Sequence, residues 1–169
     1  MSYFKQKTCE GCLPVCLLVL AGQKITLESE LDLIIGGLKK SRESYALGII
    51  EKFTSKYKRR ATIWIDNKFF LKIIMAGKNS PIKPAHKRID LNFLNSLATP
   101  FILYLDSNIL GTYYHSPHFV IVEKRLGGKF QIVDPWIGKR RWIEPSRLER
   151  GITSLRGYLK FCPLVIKLN

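Results

Sequence analysis

Apolar residues are spread unevenly along this chain, and their spacing predicts most of its elements. Residues 13–20 form an almost unbroken apolar run between the turn formers Thr8, Glu10 and Gly11 and the breaker Gly22. That pattern predicts a short buried helix with Cys12 at its start. Pro14 fits, because the first helical turn has no partner for the N–H that proline lacks. Leu31, Leu33 and Ile34 predict a second helix, capped by Thr26 or Ser29 and closed by Gly36 and Gly37. A third starts near Arg42 and places Tyr45, Leu47, Ile50 and Phe53 on one face.

Further on the period changes. Residues 61–65 read as a strand, 68–75 fit helix or strand equally well, 91–97 read as a short helix and 101–105 as a strand. His118 opens the run Phe119-Val120-Ile121-Val122, and Asp134 closes the run Phe130-Gln131-Ile132-Val133. Between them, Leu126-Gly127-Gly128-Lys129 carries hairpin turn chemistry. A strand over 139–143, a helix over 147–155 and a last strand over 164–168 complete the chain. Helices first and an antiparallel sheet afterwards predict an α+β fold.

Composition sets the limits. The 169 residues suit one domain, and 46% hydrophobic with 24% charged residues excludes a disordered chain. The longest apolar stretch, 13–22, is too short to span a bilayer, so no transmembrane segment is expected. Lys5 and Lys7 ahead of it also give it the shape of a secretory signal, with Ala21-Gly22 as the cleavage site. Cleavage there would remove Cys12. The working expectation is an intact, cytoplasmic protein.

The chemistry converges on four residues. At a helix start, unpaired N–H groups and the helix dipole favour a thiolate on Cys12. His118, on a rigid strand, suits the base that holds this thiolate and protonates a leaving group. Asp134 lies near the open end of the same hairpin and can meet His118 across the ladder. Gln6, with the Cys12 backbone N–H, can stabilise a developing oxyanion. His115 competes for the role of base.

These residues carry a resemblance. The stretches Gln6-Lys7-Thr8-Cys9-Glu10-Gly11-Cys12-Leu13-Pro14-Val15-Cys16-Leu17, His118-Phe119-Val120-Ile121-Val122 and Val133-Asp134-Pro135-Trp136-Ile137-Gly138 resemble the cysteine peptidase domains that trim double-glycine leader peptides at bacteriocin exporters, and their stand-alone relatives. The resemblance implies a papain-like cysteine protease fold, with N-terminal helices packed on a C-terminal antiparallel sheet. It implies Cys12 as nucleophile, His118 as base, Asp134 as orienting acid and Gln6 as oxyanion donor of a thiol protease acting on a peptide or protein. Leu13 departs from it, because the family has glycine after the nucleophile. The stretch between Cys12 and His118 is also longer. No Walker motif is present, so no ATPase is expected on this chain.

Two further classes stay open at this point. An acyltransferase would use the same triad, passing the acyl group to an amine, and a noncatalytic peptide- or nucleic-acid-binding module would keep only the fold. The net charge of +15 bears on the second. Residues 52–89 hold eleven Lys and Arg against the single acid Asp66, which is +10 of the total. Within one domain spanning 1–169 this segment reads as a basic insertion. With Tyr57, Trp64, Phe69 and Phe70 interleaved, it suits an anionic partner such as nucleic acid or a membrane surface, or simply a solvated face.

Cys9, Cys12, Cys16 and Cys162 lack the two separated ligand pairs of a structural zinc site, so neither metal nor cofactor is expected. Cys16 and Cys162 read as small core residues. Pro135 and Gly138 read as turn residues, while Trp136 either lines a groove or covers a sheet edge.

Overall fold

A computed structural model describes residues 5–40, 44–74, 80–111 and 114–169. Seven strands form one sheet in the order β2-β1-β7-β3-β4-β5-β6. They are β1 (Ala61–Ile65), β2 (Ile82–His86), β3 (Phe101–Asp106), β4 (Pro117–Leu126), β5 (Lys129–Asp134), β6 (Lys139–Ile143) and β7 (Leu164–Leu168). All neighbouring pairs are antiparallel except β1 and β2. Residues 52–89 therefore supply an edge of the common sheet.

Strand β2 is the element that periodicity misses. Its Pro84 removes a ladder donor, which a sheet tolerates only where one side is open, and β2 is an edge strand.

Helices α1 (Cys12–Leu20), α2 (Leu27–Lys40) and α3 (Tyr45–Tyr57) cover one face. Leu13, Leu17, Leu33, Ile50 and Phe53 pack there against Ile63, Ile102, Phe119 and Val133. Helices α5 (Leu91–Ser96) and α6 (Pro145–Gly157) cover the other, meeting Leu103, Val120, Ile132 and Val165. Both faces are thus dry, and the alternation along β4 sends Phe119 and Ile121 one way and Val120 and Val122 the other. The stretch 68–75 resolves as helix α4 (Lys68–Ile74), with Met75 outside the described residues.

Two expectations need correction. Gly36 and Gly37 do not close α2, which runs on to Lys40. A side chain on Gly37 would meet the Ile49 backbone nitrogen at 2.7 Å, so this glycine lets α2 and α3 approach closely. Helix α3 is capped by Ser44, whose hydroxyl accepts from the Leu47 N–H, and Arg42 lies outside the described residues.

Candidate active site

Helix α1 is built to bring a sulfur to the middle of the fold. Val15, Cys16, Leu17 and Leu18 are fully buried, so the helix is fixed all round by the core. Gly22, at φ 66°, ends it, with the Gln23 N–H donating to the Leu18 carbonyl at 2.8 Å. At the other end Cys12 is the first helical residue and is partly exposed. Its N-cap, Gly11, makes no side-chain cap, leaving the first-turn N–H groups to the region around the sulfur.

The segment before Cys12 is held by a residue that pattern reading overlooked. Glu30, on α2, is fully buried. Its carboxylate accepts from the Lys7 N–H (2.9 Å), the Thr8 N–H (2.7 Å) and the Thr8 hydroxyl (2.5 Å). A Cβ on Gly11 would collide with Glu30 Oε1, so any other residue there would displace the Glu30 carboxylate from its hydrogen bonds. Of the three acids Glu28, Glu30 and Asp32 on α2, Glu30 alone is fully buried, and such a group needs partners.

His118 and Asp134 meet as the hairpin predicts. The turn residues Gly127 and Gly128 both have positive φ, 57° and 75°, as a tight two-residue hairpin requires. Ile121 pairs with Val133. That pairing brings His118 and Asp134 to the same, open end of the hairpin. His118 Nε2 lies 3.1 Å from Asp134 Oδ1, and both side chains are buried. Asp134 Oδ1 also accepts from the Trp136 N–H at 3.0 Å, and Arg141 stands 3.8 Å from Oδ2.

His118 hydrogen-bonds Cys12 as well. With Nε2 turned to Asp134, Nδ1 is the ring nitrogen left for the sulfur. Burial alone would lower the imidazole pKa, but the hydrogen bonds to Asp134 and Cys12 and their charges outweigh it and push it up to about 9. The ring is therefore an imidazolium at neutral pH.

Gln6 sits beside this group but is engaged elsewhere. Its backbone N–H donates to the Pro135 carbonyl at 2.7 Å, tying the segment before Cys12 to the Asp134 turn. Its amide Nε2 donates to the Thr8 carbonyl at 2.7 Å and the Cys9 carbonyl at 3.2 Å, and Oε1 is buried with no hydrogen-bond partner among the described residues.

A cavity of about 440 Å³ opens beside Cys12. Its walls include Leu13, Tyr45, Tyr104, Phe119, Phe161 and Cys162. Tyr104 stacks on Phe119 at 4.1 Å and meets Phe161 edge-on at 6.3 Å. Burial holds the Tyr45 and Tyr104 hydroxyls protonated, well above the ordinary tyrosine range. Leu13 itself is 1% exposed, so its bulk is absorbed by the core.

The other candidates fall elsewhere. His115 is exposed and its Nδ1 lies 2.6 Å from Asp106 Oδ2. Cys16 is buried, with its thiol on the Phe119 carbonyl at 3.6 Å, and burial pushes its pKa up. Cys162 is half-buried, Cys9 is exposed, and all four cysteines are free thiols. Trp136 is 42% exposed. Gly138, at φ 66°, closes a turn by donating to the Asp134 carbonyl. Among the described residues no three His, Cys, Asp or Glu converge on a possible metal site. No described helix is long and apolar enough to cross a membrane.

The chain has a papain-like peptidase-domain fold. It is similar to the crystal structure of the peptidase domain of Streptococcus ComA, a bi-functional ABC transporter involved in a quorum sensing pathway. The TM-score is 0.57 over 97% of this chain and 94% of that one, at 17% identity. No protein-family model and no curated protein matches the chain.

Proposed function

We propose that this protein is a cysteine peptidase that hydrolyses a peptide or protein bond through Cys12, His118 and Asp134. One observation carries the reading: a buried imidazole held between a buried carboxylate and the thiol at the start of α1. The Cys12 sulfur lies at the start of α1 against the imidazolium. The sulfur attacks the carbonyl carbon, and the oxyanion takes hydrogen bonds from the Cys12 N–H and Gln6. Gln6 serves by releasing the longer of its two amide contacts, that to Cys9. As the C–N bond breaks, His118 gives its proton to the leaving amine. Now neutral, it takes a proton from the water that opens the thioester, and the thiolate returns. The apolar cavity beside Cys12 gives a substrate side chain a dry seat.

Iodoacetamide labelling of the intact protein at mildly acidic pH tests the proposal. Selective alkylation of Cys12, lost in His118→Ala, is expected. Slow and equal labelling of all accessible cysteines would refute it and leave a noncatalytic binding module.

A further inference from the structure

The apolar cavity shares part of its wall with a second one. Phe70, Phe161 and Cys162 also bound a second cavity, of about 420 Å³, whose remaining walls are Pro163 and a set of polar and charged side chains. Lys68 and Lys160 stand there with His86 and the Asp66–Arg156 ion pair. Asp66 is already committed, through Arg156 at 2.6 Å and the Ile89 N–H at 2.6 Å. Neither Lys68 nor Lys160 has an ion-pair partner among the described residues, so the second cavity keeps two uncompensated cations. Its position is fixed by the turn after α6. There the Leu159 N–H donates to the Ser154 carbonyl and the Phe161 N–H to the Leu155 carbonyl.

Two adjoining cavities, one apolar and one carrying two unpaired lysines, suit an occupant that answers both. A cavity of 440 Å³ is roughly 9 Å across, a span of about three residues of extended chain. We propose that the substrate is a peptide in which a bulky apolar side chain near the scissile bond is separated by about three residues from an acidic side chain paired with Lys68 and Lys160. This rests on the peptidase reading above and names the substrate class it leaves open.

The test is protection of Cys12 from iodoacetamide by short blocked peptides, Ac-Phe-Ala-Ala-Glu-NH2 and its reverse Ac-Glu-Ala-Ala-Phe-NH2, which cover both chain directions. One of the two is expected to protect. Replacing its Phe by Gly should weaken protection by about tenfold or more. Replacing its Glu by Gln should weaken it by about threefold. In the Lys68→Ala/Lys160→Ala variant the Glu and Gln peptides should protect equally, while the alkylation rate without peptide stays unchanged. Equal protection by the Gly peptide, or a Glu preference that survives in the variant, overturns the proposal. So does Lys68-dependent protection by a short single-stranded DNA without any by the peptides, which would reassign the basic cavity to nucleic acid. The rate without peptide reports separately on Cys12, so failure of the peptidase reading shows as a slow, unselective baseline.

Discussion

Two carboxylate–imidazole pairs lie a few residues apart in this chain, and only one faces a thiol. His115 and Asp106 make the shorter contact, 2.6 Å, against 3.1 Å for His118 and Asp134. Both carboxylates are buried. What differs is the third partner. His118 is buried and reaches Cys12, whereas the His115 side chain is 43% exposed and packs on the Tyr158 ring at 4.5 Å. Ser154 donates to Asp106 itself at 2.5 Å, so its hydroxyl is held by the carboxylate and not by the imidazole.

Asp106 is a structural anion. Burial would raise its pKa, but hydrogen bonds from Ser154, the Asn108 N–H, His115 and the Ser116 N–H hold it below the usual carboxylate range. It ties the strand end to α6, and a short contact between acid and imidazole is therefore not enough to define a catalytic pair.

The comparison breaks most sharply at the two histidines. His118→Ala should slow Cys12 alkylation at mildly acidic pH by about 100-fold or more, and His115→Ala by less than about twofold, measured by mass spectrometry of the adducts. Stability should separate them too. The folded pKa of His118 is about 9, raised from 6.5, so its contribution is complete below pH 6.5 and disappears as pH rises through 9. Denaturant titrations across that window should show stability falling by a few kcal/mol at most, since one proton held by the folded state alone changes stability by roughly 1.4 kcal/mol for each step of one in pH. His118→Ala should remove that slope.

Smaller effects distinguish the buried acids. Asp106→Asn should cost about 1–3 kcal/mol of stability with Cys12 reactivity unchanged. Glu30→Gln should cost a similar amount, because it weakens three hydrogen bonds to the 7–8 segment, and should also slow Cys12 alkylation, since that segment leads to the nucleophile. Thermal melts and alkylation rates on the same samples check both.

Much of this was legible in the sequence, for identifiable reasons. Strong periodicity located α1, the β4–β5 hairpin and β7, because each buries a continuous apolar set. The His118–Asp134 contact lies within one hairpin, so a local pattern points to it, although the ladder shifts register between Val122 and Lys124 on the way. Three things were hidden. The Gly36-Gly37 pair looks like a helix stop unless the neighbouring α3 is known. Strand β2, with Pro84 inside it and Lys83, Lys87 and Arg88 around it, has no apolar alternation to betray it. Glu30 acts across more than twenty residues, and only the folded chain shows that its carboxylate collects the N–H groups of Lys7 and Thr8.

The central claim is that a charged imidazole sits between Asp134 and Cys12, and the most direct measurement is an NMR titration of the histidine ring nitrogens in the intact protein. His118 should remain an imidazolium through pH 7 and lose its proton near pH 9, and Cys12→Ala should lower that midpoint. A His118 ring that is already neutral at pH 7 would contradict the account.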